Sequence, residues 1–118
     1  MSTISSNLKK SCTAIILLSL LSEEDSYGYQ LTQSIKKRTD NVITLQEGSM
    51  YTILYRLIEI GDVESYEVKS GQRMVRVYYK ITDNGRSHLK EMKEEFTSQL
   101  KAYDLLFHFM EGINSDEE

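Results

Sequence analysis

Proline and tryptophan are absent from the sequence, and cysteine occurs once, at Cys12. Because proline breaks helices and shapes loops, its absence is typical of a helical protein with few long loops. A single cysteine cannot form an intrachain disulfide, so we expect a reducing, cytoplasmic setting. Cys12 lies among apolar residues and is interpreted as a small buried side chain.

Long apolar runs are also missing. The longest, residues 14–21, is far shorter than the ~20 residues that a transmembrane helix needs. We therefore expect no membrane partner and interpret the run as part of a buried helix from about residue 6 to residue 22. This helix is apolar on more than one side, so we expect both its own domain and a second subunit to cover it.

Groups suited to enzymatic chemistry are sparse. His88 and His108 stand twenty residues apart, without cysteine or carboxylate partners at metal-ligand spacing. There is no glycine-rich phosphate loop, and neither the serines nor Cys12 have an evident base. We expect no enzyme, no metal and no cofactor, and interpret both histidines as hydrogen-bonded or solvated side chains.

The charge distribution is more informative than the net charge of −4, which does not indicate a nucleic-acid partner. Six basic residues and one acid, Asp83, lie between Lys69 and Lys90, whereas acids collect at residues 23–25 and 116–118. A local basic patch can bind phosphate even on an acidic protein.

Residues 47–61 have the pattern of one amphipathic helix that ends at Gly61. Its apolar stripe has a spacing of three and four residues and consists of Met50, Ile53, Leu54, Leu57 and Ile58. The opposite side carries Ser49, Thr52, Tyr55, Arg56 and Glu59. Hydroxyl and guanidinium groups suit phosphates and base edges in the DNA major groove, although on this helix alone an ordinary solvated surface is the simpler interpretation.

The order of the predicted elements is that of a winged helix. A second helix, capped by Ser26, covers residues 27–38, and the helix just described is the third. After Gly61 the apolar period changes from 3.6 to 2, which predicts a hairpin of strands 63–69 and 73–82 with a turn at residues 70–72. One face of the second strand carries Val75, Val77, Tyr79 and Ile81.

A last helix, capped by Thr82, is predicted from Asp83 to about residue 111, roughly 40 Å long. It would overhang a domain whose radius of gyration is about 13 Å, and its apolar residues alternate by three and four, as in helices that pair. We therefore expect a homodimer. The predicted dimer contacts are Leu89, Phe96, Leu100, Tyr103, Leu106, Phe107 and Met110.

The predicted organisation is mainly α with a β-hairpin. Residues 6–82 form a winged helix-turn-helix domain, residues 83–113 a long C-terminal dimerisation helix, and residues 114–118 a disordered acidic tail.

Four motifs in this order resemble the PadR family of bacterial transcriptional regulators, in particular its small members with a single C-terminal helix. They are residues 27–31, residues 48–59, Gly61 and residues 76–85. The resemblance covers about residues 10–110 and implies a dimeric, winged-helix, DNA-binding protein. Most such proteins repress promoters, often their own and that of a neighbouring efflux or detoxification gene.

By this resemblance, Tyr51 stands at the family's tyrosine near the start of the recognition helix, Arg76 at a wing arginine, and Tyr78 and Tyr79 at its paired tyrosines. The chain departs from the family at Thr52, where proline is frequent, and in the spacing of the wing's basic residues. The predicted contacts with DNA are Ser49, Tyr51, Thr52, Tyr55, Arg56, Gln72, Arg73, Arg76 and Tyr78.

Some small members of the family bind planar aromatic drugs between the two C-terminal helices, against a tryptophan that this chain lacks. Phe96 occupies the comparable place, and Met92 and Tyr103 follow the same seam. These three residues are the predicted site of a small hydrophobic or aromatic effector. The alternative is that Phe96 simply packs in the dimer core.

Two functions remain open. A dimeric regulator, in particular a repressor, would bind double-stranded operator DNA with an affinity that falls steeply with salt. A winged-helix protein–protein interaction module would bind another protein through its acidic surface and show no such DNA binding.

Overall fold

Segments with apolar residues three and four apart form helices, and the segment with alternating apolar residues forms a hairpin. The computed structural model describes the backbone of residues 3–116 and the side chains of residues 12–109. The elements are α1 (Thr3–Glu23), β1 (Ser26–Tyr27), α2 (Gly28–Arg38), α3 (Glu47–Glu59), β2 (Val63–Ser70), β3 (Met74–Ile81) and α4 (Asp83–Asp116). This order confirms the predicted winged helix-turn-helix with a long C-terminal helix.

α1 lies at the centre of the domain. Leu17, Leu18 and Leu21 are fully buried, and the helix contacts α2, α3, β3 and α4. One chain therefore covers these three positions on several sides, whereas Ala14, Ile15 and Ile16 are only partly buried. The other helical residues of the core are Leu20, Leu31, Ile35, Met50, Leu54, Leu57 and Leu89.

A short third strand completes the sheet, which has the order β1-β3-β2 and antiparallel pairing. Ser26 pairs with Tyr79, and Tyr27 pairs with Tyr78. The predicted helix cap at Ser26 is wrong, because Ser26 belongs to this strand and Tyr27 directly precedes α2. The N–H of Tyr27 donates to the side chain of Gln30 at 3.1 Å. A strand of two residues has no measurable period, so no sequence pattern predicted it.

β2 and β3 form the predicted hairpin, closed by residues 71–73 with Gly71 at φ +79°. Tyr79 and Ile81 are buried in the core, as their alternation predicts. Val75 and Val77 lie on the same face of β3 but are 52% and 40% exposed. The outer half of the hairpin therefore projects from the helices as a wing.

α4 begins at the cap that the sequence predicts, because Thr82 Oγ1 accepts a hydrogen bond from the N–H of Gly85 at 3.0 Å. Its 34 residues correspond to a length of about 51 Å. The radius of gyration of the chain is 18.0 Å, above the about 13 Å of a compact domain of this size, because the distal part of α4 extends beyond the other elements.

The end of α4 differs from the expected boundary. The helix continues to Asp116, so residues 114–116, which we expected in a disordered tail, are helical. Residues 117–118 and the side chain of Met110 lie outside the part of the chain that the structure describes.

α3 ends at the predicted glycine. Gly61 has φ +85°, and its N–H donates to the carbonyl of Ile58 at 3.1 Å. A left-handed glycine commonly ends a helix in this way. The start of α4 packs directly on this turn, since a Cβ at Gly85 would lie 2.2 Å from the carbonyl oxygen of Asp62. Gly85 is therefore required by a backbone contact.

Replacing Gly85 with alanine should lower the free energy of unfolding by about 2 kcal/mol, because the new methyl group would force two backbone segments apart. Gly48→Ala is the matched control, since nothing lies within 4 Å of its Cβ position. Alanine at that helical site should raise stability by up to about 1 kcal/mol. Urea unfolding measures both changes, and a Gly85→Ala variant as stable as the wild type would contradict the close contact between Gly85 and the carbonyl of Asp62.

Candidate nucleic-acid interface

The polar face of α3 is directed away from the core. Met50, Leu54 and Leu57 are buried, which turns the opposite side of the helix to the outside. The residues predicted on that side are exposed, namely Ser49, Thr52, Tyr55, Arg56 and Glu59. The hydroxyl of Thr52 donates to the carbonyl of Gly48 at 3.0 Å. Its proton is therefore already used, and its oxygen is left to accept a hydrogen bond from a ligand.

Tyr51 is partly buried and lies across the beginning of α2. Its ring stacks on that of Tyr55 at 6.2 Å and lies 6.5 Å from that of Tyr79. A Cβ at Gly28 would lie 2.1 Å from the Tyr51 hydroxyl oxygen, so only glycine allows this approach. Burial raises the pKa of both Tyr51 and Tyr79, so both phenols stay protonated as potential hydrogen-bond donors.

A concavity of about 380 Å³ connects the beginnings of α2 and α3 with β3. It is lined by Tyr27, Gly28, Tyr29, Glu47, Tyr51, Tyr55, Arg76, Val77 and Tyr79. Five of these nine residues are tyrosines, so the walls combine aromatic surface with phenolic hydroxyls. Arg76 contributes a positive charge at one side, and Glu47 contributes a negative charge at another.

Arg76 is held in place by an aromatic contact. Its guanidinium carbon lies 4.5 Å from the centroid of the Tyr27 ring, within the range of a cation–π interaction. Tyr27 meets Tyr78 edge to face at 5.4 Å, and Tyr78 stacks on Tyr66 at 5.7 Å. One row of tyrosines therefore crosses all three strands beside Arg76.

The far end of this row is fixed by a hydrogen bond. The hydroxyl of Tyr66 donates to Asp25 at 2.7 Å, and this bond raises the pKa of Tyr66. Sequence reasoning missed Tyr27 and Tyr66. The hairpin register, in which Tyr66 opposes Tyr78, is the signal that could have placed Tyr66.

The basic stretch from Lys69 to Lys90 is divided between two places. Gln72 and Arg73 lie exposed at the hairpin tip, on the same wing as Arg76. Arg86 instead lies on α4, where it donates to the carbonyl of Ser22 at the end of α1 at 3.4 Å. The positive charge available beside α3 therefore comes from the wing.

The two histidines have different surroundings. His88 Nδ1 lies 2.5 Å from the buried carboxylate of Asp62, a contact that sequence reasoning missed because the residues are far apart in the chain. His108 Nδ1 lies 3.5 Å from Asp104, one turn away on the exposed side of α4. Among the described residues, no three His, Cys, Asp or Glu side chains are grouped so as to hold a metal ion.

The predicted effector residues follow α4 from the core outwards. Met92 packs against the core and Phe96 is partly buried, whereas Tyr103 is exposed and stacks on Phe107 at 6.4 Å. Within one chain they form the edge of an open apolar stripe. None of the described helices has the length and apolar character needed to cross a membrane.

One predicted dimer contact needs correction. Leu89 is only 5% exposed and belongs to the core of its own chain, so it stabilises the protomer and is not available to a partner. The distal residues behave differently, because Leu100, Tyr103, Leu106 and Phe107 are all exposed in the single chain.

Residues 17–91 match the transcriptional regulator PadR-like family. The chain belongs to this family. The match includes α2, α3, the wing and the first turns of α4, and it identifies a transcriptional regulator with a winged helix rather than an enzyme. The family resemblance of the sequence is thereby confirmed.

Relatives of known structure share the fold over most of this chain. A transcriptional regulator from Clostridium thermocellum is 32% identical, with a TM-score of 0.76 over 88% of this chain and 95% of its own. A PadR-family transcriptional regulator from Eggerthella lenta is 26% identical, with a TM-score of 0.75 over 89% of each chain.

Two curated relatives differ in length. The uncharacterised protein X of Lysinibacillus sphaericus is 36% identical over 83% of this chain and 87% of its own length. The transcriptional regulator YqjI of Escherichia coli is 28% identical over 69% of this chain, but the match spans only 37% of YqjI.

The raised pKa values of Tyr51, Tyr66 and Tyr79 predict how this PadR-like regulator responds to alkali. A tyrosine with a higher pKa in the folded chain contributes stability that is present below pH about 10 and is lost as the pH rises through its folded pKa. We expect Tyr79→Phe, which cannot ionise, to lessen this alkaline loss in urea unfolding. Identical tyrosinate absorbance titrations of the native and denatured protein would contradict the account.

Proposed function

We propose that the protein is a dimeric regulator that binds double-stranded operator DNA through α3 and the wing. The observation that carries this proposal is the Arg76–Tyr27 pair, a cation held by an aromatic ring at a tyrosine-lined concavity beside the exposed face of α3. Because the chain belongs to a family of transcriptional regulators, we propose that this surface acts in the regulation of transcription.

The chemistry of this surface suits a sugar–phosphate backbone. A guanidinium group binds phosphate oxygens with two parallel hydrogen bonds, and one that is already held in place loses less freedom on binding. Phenol and serine hydroxyls donate to phosphate oxygens as well. Because Glu47 would repel a phosphate, we place the phosphate on the Arg76 side of the concavity, and we assign base contacts to Arg56 on α3.

The distal half of α4 is the proposed dimer interface. Its exposed apolar residues are Leu100, Tyr103, Leu105, Leu106, Phe107 and Phe109. An apolar surface of this extent is rarely left open to water, and a second copy of α4 would cover it. A two-fold dimer would present two α3 helices to half-sites about one helical turn of DNA apart.

We further propose that binding represses transcription from the protein's own promoter and that of a neighbouring efflux or detoxification gene in the cytoplasm. A small aromatic or hydrophobic effector at Met92, Phe96 and Tyr103 would release the DNA. Such an effector acts only if it binds one spacing of the two α3 helices more tightly than another.

The alternative is a winged-helix module that binds another protein and not DNA. It is favoured by the net charge of −4 and by the exposed Met74 and Val75 on the wing. The salt dependence of DNA binding separates the two functions, because displaced counterions make protein–DNA affinity fall steeply with salt.

Fluorescence anisotropy with the DNA upstream of the protein's own gene, and with a scrambled duplex, tests the proposal at two salt concentrations. We expect tighter binding to the upstream DNA and a steep loss of affinity at the higher salt concentration. Absence of binding to either duplex at low salt and micromolar protein would favour the protein–protein module.

Arg76→Ala and Arg73→Ala should each weaken binding to all DNA sequences alike and reduce the slope of log affinity against log salt by about 1.

Tyr27→Leu should weaken binding about two- to fivefold, since an exposed cation–π contact is worth about 0.5–1 kcal/mol. Tyr27→Phe keeps the ring and should bind as the wild type does. If Tyr27→Leu also bound as the wild type does, the ring would have no part in positioning Arg76.

Leu106→Asp should convert the dimer to monomers, because it places a charge in the proposed apolar interface. Ser98→Asp is the matched control, since it adds the same charge beside Lys93 and Lys101 on another side of α4. Sedimentation equilibrium measures the molecular mass of both variants. A Leu106→Asp protein that remained dimeric would place the interface elsewhere.

A further inference from the structure

A buried polar cluster joins α3 to α4 on the side of the domain away from the wing tip. Asp62 lies in the turn between α3 and β2 and is 1% exposed. Its Oδ1 accepts a hydrogen bond from Asn84 Nδ2 at 3.2 Å, and its Oδ2 lies 2.5 Å from His88 Nδ1. A carboxylate only accepts hydrogen bonds, so His88 carries a proton on Nδ1. Both partners of the buried carboxylate therefore belong to α4.

The main chain strengthens the same connection. The N–H of Thr82 donates to the carbonyl of Asp62 at 3.0 Å, and the hydroxyl of Thr82 donates to the carbonyl of Gly61 at 2.6 Å. We call Gly61, Asp62, Thr82, Asn84 and His88 the junction clasp. It ties the turn that directly follows α3 to the first two turns of α4 through side chains and backbone together.

Burial of a carboxylate is a costly way to stabilise a protein, because an apolar group of similar size often packs at least as well. A fully hydrogen-bonded polar network does, however, specify one geometry more narrowly than apolar contacts do. The angle at which α4 leaves the domain is important, because the helix has 34 residues and is about 51 Å long. A rotation of about 10° at the clasp would move the far end of α4 by about 9 Å, as for any hinge closed by few residues.

We propose that Asp62 and His88 are positioning residues for operator recognition. They fix the angle between α3 and α4, and thereby the spacing of the two α3 helices in the dimer. The inference rests on the proposed function, in which α4 forms the dimer and α3 contacts DNA. Neither residue touches the nucleic acid, so their effect is on geometry and not on direct contacts.

Spin-label distance measurements on the full chain test this geometry without DNA. One label is placed at Glu59→Cys, on an exposed position of α3, in a Cys12→Ser background, so that the dimer gives one distance between its two α3 helices. His88→Ala removes a donor to Asp62, whereas His88→Asn restores an amide N–H close to the place of Nδ1. Arg38→Ala is the matched control, because it breaks an exposed ion pair with Glu23 and leaves every hydrogen bond of the clasp in place.

We expect a narrow distance distribution for the wild type, His88→Asn and Arg38→Ala, and a distribution about twice as wide for His88→Ala, because freed hinge residues allow several angles. If His88→Ala does not fold, Asn84→Ala replaces it and should widen the distribution to a smaller extent. Equal widths for the wild type and the folded clasp variant would overturn the proposal, as would the absence of any distance between labels.

A second arm uses duplexes in which the separation of the two operator half-sites is changed one base pair at a time. The wild type and His88→Asn should prefer one separation, and His88→Ala should bind several separations with similar affinity. Failure of every variant to bind DNA would refute the proposed function. The distance measurement would still show whether the clasp fixes the angle between α3 and α4. Unchanged separation preference in His88→Ala, with normal DNA binding, would refute the clasp alone.

Discussion

Burial of the α1 leucines is the interaction on which the other elements depend. Leu17, Leu18 and Leu21 are at most 1% exposed, and α1 contacts α2, α3, β3 and α4. Each buried leucine contributes about 1.5–3 kcal/mol, and truncation of such a residue to alanine costs about 2–5 kcal/mol. Because the apolar stripe of α3 must face this helix, its hydroxyl and guanidinium groups face outwards.

The same packing divides α4 into two parts with different roles. The first turns lie against α1 and contribute Leu89 to the core, whereas the residues from Leu100 onwards project with apolar side chains exposed. A single continuous helix thus connects the domain to its proposed dimer interface. In the proposed dimer, a change of the angle between the two α4 helices would reach α3 through the junction clasp. The proposed effector at the seam would influence DNA binding by this route.

Periodic features of the sequence were sufficient to predict the helices and the hairpin. Gly61 and Thr82 marked the end of α3 and the start of α4, and four motifs carried the resemblance to the family. The features that were missed depend on neighbours in space. β1 is too short to have a period, and without it neither the place of Tyr27 beneath Arg76 nor the tyrosine row was apparent. The Asp62–His88 contact joins residues 26 positions apart, and Leu89 follows the same heptad spacing whether it packs against its own chain or a partner.

The central claim is that one dimer presents two equivalent surfaces, each made of α3 and a wing, to a single face of operator DNA. Hydroxyl-radical footprinting of the bound upstream DNA tests this claim most directly, because it reports which sugars the protein covers on each strand. The account predicts two protected regions related by two-fold symmetry, with centres about one helical turn, or a multiple of it, apart. A single asymmetric protected region under saturating protein would contradict it.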